Sequence, residues 1–151
     1  MSWPVIIGIV VVFLVYQEYK SKKHSERVIY GKEEGEEDTA RHIKQKSSSR
    51  AFVWREIDSH SPADLIARWP STSRRRPDVI WYIQVKSSLD GDAGMAQRLE
   101  RQELLDLCAR DEGIRAIPVV ALNHSSGEDE KREFEFYSID ENLKTHALDL
   151  P

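Results

Sequence analysis

The chain has 151 residues, of which 40% are hydrophobic and 32% are charged, and its formal net charge is −4. This balance is that of an ordinary globular domain, and it argues against disorder and against a surface that is basic all over for nucleic acid. A single cysteine excludes an intrachain disulfide and a zinc site built from several cysteines.

The chain opens with a continuously apolar run, WPVIIGIVVVFLVY, over residues 3–16. The uncharged stretch over residues 1–17 would make a helix about 25 Å long, close to the ~30 Å hydrocarbon core of a bilayer. Aromatic residues lie at both ends of the run, and three lysines follow it, as is typical of the cytoplasmic side of a membrane span. A buried core strand or helix is the alternative interpretation.

These features predict a membrane protein with a single pass and three segments. We expect a transmembrane anchor over residues 1–19, a juxtamembrane linker over residues 20–30, and a cytoplasmic domain over residues 31–151.

The domain is predicted to begin with a helix over residues 36–47, because apolar residues recur at helical spacing and acids crowd its first turn. Alternation of side chains in AFVWREI predicts a strand over residues 51–57. After a turn, ADLIARW predicts a second strand over residues 63–69. We expect the tryptophans of these strands to build the core or the strand faces.

Pro70 and Pro77 bound a basic connection, and VIWYIQVKSS then predicts a third strand over residues 79–88, antiparallel to the second. A second helix is predicted over residues 95–113, followed by buried and closing strands over the ranges 116–123 and 134–139. The order of helix, three strands, helix and two strands predicts an α/β domain, a mixed sheet flanked by helices.

Asp64 stands among apolar residues at the start of the second predicted strand, where a carboxylate is costly unless it meets a metal, a cation or several donors. Gln84 and Lys86 interrupt the third strand, and alternation turns both side chains to the same face. If the two strands pair, Asp64 can lie beside Gln84. A carboxylate, an amide oxygen and an ammonium group at this spacing suit a hard divalent cation and a water nucleophile.

SPADLIA followed by YIQVKSS resembles the metal-dependent nuclease core written PD…(D/E)xK, and within it the archaeal Holliday junction resolvases and their relatives. EEDTARHI, the stretch RQELLDLCARDEGIRAIPVVAL and the stretch REFEFYSI resemble the first helix, the second helix with its strand, and the closing strand of that family. The likeness covers about residues 31–140. It implies a restriction-endonuclease-like fold and an endodeoxyribonuclease that uses Mg²⁺ or Mn²⁺.

The resemblance implies a role for each matching residue. Asp64 would be the central metal ligand, and Lys86 would assist the attacking water. Glu37 of the first helix would reach the metal directly or through water, with Glu36 and Glu33 as alternatives for that place.

Two further positions are carried over from the family. The backbone carbonyl of Val85 would be another metal ligand. Ser59, with Ser61 as the alternative, would contact the scissile phosphate.

The chain departs from the family at Gln84, where the family has Glu or Asp. A Gln carbonyl oxygen can coordinate a cation, but it lacks the charge that strengthens metal binding. A competing alignment makes Asp78 the aspartate of the motif; we prefer Asp64, because SPADLIA supplies the strand after the acid.

Arg74, Arg75 and Arg76 form the most basic stretch of the domain and are expected to bind DNA phosphates. The resemblance favours branched or junction DNA as the substrate and a homodimer as the active form, since two strands need two centres. The rival hypotheses are a catalytically decayed, membrane-tethered DNA-binding module and a scaffold domain without a role in nucleic acid.

Overall fold

The computed structural model describes residues 32–56, 58, 60–88, 91–110, 115–125 and 131–151. They form a six-stranded mixed sheet with two helices, which confirms the predicted α/β class. The predicted anchor over residues 1–19 and the linker over residues 20–30 lie outside this described part. Within it, no helix has the length and apolar character needed to span a bilayer.

The strands stand in the sheet in chain order, and only the third and fourth run parallel. In chain order the elements are α1 (32–46), β1 (Phe52–Arg55), β2 (Leu65–Trp69), β3 (Val79–Ser87), α2 (Arg98–Arg110), β4 (Ala116–Ser125), β5 (Arg132–Ile139) and β6 (Thr145–Ala147). A parallel pair needs a crossover connection, and α2 supplies it between β3 and β4. The predicted antiparallel pairing of β2 with β3 is confirmed.

Alternation along β2 and β3 sends every second side chain into a core beneath α1. Leu65 and Ala67 of β2 pair with Ile83 and Trp81 of β3, and all four are almost completely buried. Ile43 of α1, which is fully buried, packs into the same cluster. This face of the sheet, called here the α1 face, holds the larger of the two cores.

The opposite face of the sheet, called here the α2 face, has its core beneath α2. Leu104 of this helix is fully buried and packs with Val120 and Leu122 of β4. The helix contacts β4 and, more sparsely, β3. Helix α2 therefore covers the middle of this face.

Both helices begin at residues other than the predicted ones: α1 begins at residue 32 and not at residue 36. Helix α2 begins at Arg98 and not at the predicted residue 95. The Glu100 carboxylate accepts a hydrogen bond from the Gln97 backbone N–H at 2.6 Å, which fixes the N-terminus of the helix there. Strand β6 was not predicted. It follows a turn in which the Asp140 carboxylate accepts backbone N–H bonds from Asn142 and Lys144.

Gly35 allows α1 to approach the ends of β3 and β4 closely. A Cβ atom at this position would lie 2.6 Å from the Cβ of Ser87. The Gly35 carbonyl also accepts hydrogen bonds from Thr39 Oγ1 at 2.7 Å and from Asn123 Nδ2 at 3.3 Å. The first turns of α1 are thereby held against the sheet at the end where β2 and β3 separate.

Candidate active site

The Asp64 carboxylate lies where β2 and β3 separate. The Asp64 backbone N–H donates to the Ile83 carbonyl at 2.8 Å, and the Val85 N–H donates to Asp64 Oδ2 at 2.8 Å. In a regular antiparallel ladder that second N–H would pair with a backbone carbonyl of the segment that precedes β2. The side chain of Asp64 therefore continues the ladder, which fixes its carboxylate beside the segment that carries Gln84.

Gln84 places a buried polar atom at this point. Its Oε1 atom is inaccessible to solvent and has no hydrogen-bond partner among the residues that the structure describes. A buried amide oxygen without a partner is costly, by about 1–3 kcal/mol, and is rare in native structures. Such an atom is suited to accept a donor or a cation that is not part of the protein.

Lys86 lies two residues further along β3 and shares the α2 face with Gln84. Its ammonium group is 2.5 Å from Glu100 Oε1, while the other oxygen of Glu100 caps α2. Burial raises the pKa of Glu100, but the hydrogen bonds from Lys86 and from the Gln97 backbone outweigh this, so its pKa lies below the ordinary value. Glu100 thus ties Lys86 to the first turn of α2.

The acid of α1 that faces this region is Glu36. Its side chain is 6% exposed, and Arg55 of β1 binds it through two nitrogens at 2.6 and 2.9 Å. Burial raises the pKa of Glu36, the hydrogen bond from Arg55 opposes this, and the charge of Asp64 adds to the increase, so the pKa lies above its ordinary value. Glu36 therefore lies within electrostatic reach of Asp64.

Glu37 does not join this group. Its side chain is 74% exposed and pairs with Arg41 on the outer surface of α1 at 3.4 Å. Successive residues of a helix differ by about 100° in direction, so neighbouring acids cannot both face the sheet. Of the two alternatives, Glu36 is buried and lies near Asp64, while Glu33 is exposed.

Lys32 brings a positive charge to both carboxylates. Its ammonium group lies 3.4 Å from Asp64 Oδ1 and 3.9 Å from Glu36 Oε1, and the side chain is 65% exposed. A largely exposed ammonium at this distance partly neutralises the pair. It stands where a cation shared by the two acids would be bound.

The donor set fits a hard divalent cation of the magnesium type. The described residues contain no cluster of three or more His, Cys, Asp or Glu side chains that could hold a metal ion. The oxygens in this region are instead the carboxylates of Asp64 and Glu36, which share the Lys32 ammonium, and the partnerless amide oxygen of Gln84, whose side chain lies on the α2 face. Mg²⁺ is commonly bound through one or two carboxylates while it keeps several waters, so this sparse all-oxygen set is compatible with it.

Asp78, the alternative to Asp64, is used to close the β2–β3 hairpin. Its carboxylate binds Arg68 at 2.5 Å and accepts the Ser71 backbone N–H at 2.8 Å. The hydrogen bond from Ser71, followed by that from Arg68, lowers its pKa. It lies six residues before Gln84 on an extended strand, about 20 Å away, so the structure does not bring it to the site.

The remaining predicted site residues are not gathered around Asp64. The connection between β2 and Asp78 holds Arg74, Arg75 and Arg76, which are exposed. It lies at the other end of the β2–β3 hairpin. Ser59 lies outside the described residues, and Ser61 accepts a hydrogen bond from the Ala63 N–H at 3.3 Å. Val85, whose carbonyl was a predicted ligand, contributes its N–H to Asp64.

A separate cavity of about 370 Å³ lies between α1, β5 and the C-terminal segment, and its lining includes none of the predicted site residues. The His42 ring stacks on Phe134 within this lining, with the ring centroids 4.1 Å apart. Burial, assisted by the charge of Lys46, lowers the pKa of His42. This cavity is therefore separate from the Asp64 region.

Sequence reasoning did not identify the partners Lys32, Arg55 and Glu100. Glu100 carried one local signal, because an acid three residues after a helix start is typical of a capping box. Its ion pair with Lys86 spans 14 residues, and the pair between Arg55 and Glu36 spans 19. Neither pair has a pattern in the local sequence.

No known family model matches this chain, and no curated protein sequence matches it.

Proposed function

We propose that this chain is a metal-dependent endodeoxyribonuclease that hydrolyses phosphodiester bonds in branched DNA. One observation carries the proposal: the Val85 N–H holds the Asp64 carboxylate beside the segment of β3 that carries Gln84, whose buried amide oxygen has no partner among the described residues. The order of α1, three antiparallel strands, α2 and a parallel strand is also the order implied by the resemblance to PD…(D/E)xK nucleases.

Asp64 would hold the cation at the end of the sheet where β2 and β3 separate. Glu36 would reach it directly or through water from the α1 face, in the place expected for Glu37, and Gln84 would reach it from the α2 face. A bound Mg²⁺ or Mn²⁺ would supply a more acidic water and neutralise charge that develops on the phosphate. The Val85 N–H fixes one oxygen of Asp64 and leaves the other directed toward Lys32.

Lys86 would orient the attacking water or neutralise charge on the phosphate, since its ammonium offers three donors. In this structure Glu100 forms an ion pair with that ammonium group. For water to attack the phosphate, Lys86 would exchange its contact with Glu100 for a contact with the water or the phosphate. The negative charge of Glu100 would keep the ammonium group on the α2 face.

The proposal extends to assembly and location. Hydrolysis of two strands at a junction favours a homodimer with two centres, and the exposed arginines Arg74–Arg76 would bind phosphates on the flanking DNA. An anchor over residues 3–16 would place the enzyme on the cytoplasmic face of a membrane.

The direct test is cleavage of a labelled four-way junction by the full chain in detergent, with Mg²⁺ or with EDTA. We expect cleavage that depends on Mg²⁺ and falls by at least a hundredfold in Asp64→Asn, the range expected when a group that positions a metal is lost. Asp106→Asn is the matched control, because Asp106 is exposed on α2 and contacts only Gln102 in the described structure. Cleavage that survives in Asp64→Asn would refute the assigned site.

A second function is favoured by the ion pairs at the site. Lys86 is bound to Glu100, Asp64 is paired with Lys32, and Gln84 replaces the acid of the family motif. A centre whose charges are all satisfied internally suits a DNA-binding module that has lost catalysis. DNA binding without cleavage, even in Gln84→Glu, would favour this second function over the first.

A further inference from the structure

One part of the α2 face remains uncovered by either helix. Helix α2 contacts β4 and β3, and α1 packs on the opposite face of the sheet. The pairing register places Trp54 of β1, Ile66 of β2 and Tyr82 of β3 in one row across this face. All three of these side chains are at least partly exposed.

Two aromatic residues protrude from this surface. Phe52 and Trp54 are 43% and 46% exposed, whereas Trp69 and Trp81 are 3% and 1% exposed. They stand two residues apart on β1, so both side chains project from the same face, about 7 Å apart. Contiguous apolar surface of this kind is a feature of interaction sites when it is extensive.

The charges beside Phe52 are mainly positive, and an acid follows Trp54. The Arg50 guanidinium lies 4.9 Å from the Phe52 ring centroid, and Arg68 is directly opposite Phe52 on β2. Arg68 is paired with Asp78, so Arg50 is the positive charge shown closest to the pair, and the exposed arginines 74–76 lie in the connection that follows β2. The acid nearest to the pair along β1 is Glu56, which lies 3.4 Å from the backbone N–H of Asp58.

From this geometry we infer that Phe52 and Trp54 form a stacking platform for unpaired nucleotides of a DNA strand. Aromatic rings stack on the faces of all bases, and flanking arginines bind the phosphates between them. Sheets that present aromatic residues bind two or three single-stranded bases in this way.

The platform lies on the same face of the sheet as Gln84 and Lys86. The row through Trp54, Ile66 and Tyr82 is followed along β3 by Gln84, so a strand lying across β1 and β2 leads toward the candidate site. This inference rests on the proposed function, because it makes unpaired nucleotides the feature by which the nuclease selects its DNA substrate. The binding itself can be measured without cleavage.

The test uses the full chain in EDTA, at low ionic strength, with a fluorescein-labelled oligothymidylate as the probe. We expect binding by fluorescence anisotropy together with quenching of tryptophan emission. Trp54→Ala should weaken binding about tenfold, within the range seen when one base loses its stacking partner. Trp54→Phe should keep the affinity within about twofold, because a phenyl ring still stacks, but it should remove the quenching that Trp54 contributes.

Leu99→Ala is the matched control, because Leu99 is an apolar residue of α2 that is 68% exposed and lies outside the aromatic row. It should bind the probe like the unmodified chain. Failure of the unmodified chain to bind at low salt, or equal affinity in Trp54→Ala, would overturn the inference. So would a Trp54→Ala variant that turns a dimer into a monomer in sedimentation while its affinity for the probe is unchanged, since a second copy would then cover the platform.

Because EDTA prevents metal-dependent cleavage, this experiment fails or succeeds separately from the proposed nuclease activity. If Trp54→Ala loses binding and no variant cleaves DNA, the stacking platform is supported and the nuclease activity is refuted. Cleavage of the junction with unchanged binding in Trp54→Ala would do the reverse.

Discussion

Replacement of Gly35 by Ala tests how α1 is held against the site. The new methyl group would lie 2.6 Å from the Cβ of Ser87, which is too close for either atom to remain in place. Overpacking of this kind costs about 1–3 kcal/mol, while the higher helix propensity of Ala returns up to about 1 kcal/mol. We expect the free energy of unfolding to fall by about 1 kcal/mol, which corresponds to a decrease in Tm of about 2–4 °C.

A double-mutant cycle with Ser87→Gly isolates this contact. The Ser87→Gly background lacks the Cβ and Oγ atoms of Ser87, with which the new methyl group would clash. In that background Gly35→Ala should instead stabilise the protein, by up to about 1 kcal/mol. The coupling energy from urea unfolding of the four proteins should therefore be about 1–3 kcal/mol. Equal effects of Gly35→Ala in the two backgrounds would refute the close approach of α1, and with it the placement of Glu36 near Asp64.

Three further predictions concern charged residues at the site and at the far end of the β2–β3 hairpin. Lys32→Gln should strengthen Mn²⁺ binding severalfold in calorimetry, because the Lys32 ammonium competes with the metal ion for Asp64 and Glu36. An unchanged Mn²⁺ affinity would mean that no cation binds between these two acids. Because burial raises the pKa of Glu36 above 4.5, wild-type stability relative to Glu36→Gln should decrease as the pH rises through the folded-state pKa and then level off; a difference that does not change with pH would contradict this. Because the hydrogen bond from Ser71 lowers the pKa of Asp78, the stability contributed by Asp78 should be present above pH 3.8 and lost as the pH falls through the folded-state pKa. Asp78→Asn should remove this loss and leave Mn²⁺ affinity unchanged, and weakened Mn²⁺ binding would support the competing assignment.

Local sequence patterns were sufficient to predict most of the fold. Alternation over residues 63–69 and 79–88 identified two strands, and the intervening basic connection made them an antiparallel pair. The pairing in turn brought Asp64 beside the segment of Gln84, as expected. Strand β6 has only three residues and packs by tertiary pairing with β5, so its sequence carried no comparable pattern.

The orientation of individual side chains required the tertiary structure. Glu36 and Glu37 are adjacent, and the choice between them depends on how α1 is rotated when Ile43 and Gly35 pack against the sheet. The exposure of Trp54 likewise depends on where α2 lies, since α2 covers β4 and leaves β1 open. Neither the rotation of one helix nor the position of another is encoded in the neighbouring residues.

Gln84→Met is the most direct test of the assigned centre. Met has nearly the shape of Gln but no hard oxygen, so the buried position is filled without an atom that can bind Mg²⁺ or Mn²⁺. In calorimetric titration of the full chain with Mn²⁺, we expect one site in the unmodified protein, about tenfold weaker binding in Gln84→Met, and none in Asp64→Asn. Equal Mn²⁺ affinity in all three proteins would show that these oxygens do not hold the cation.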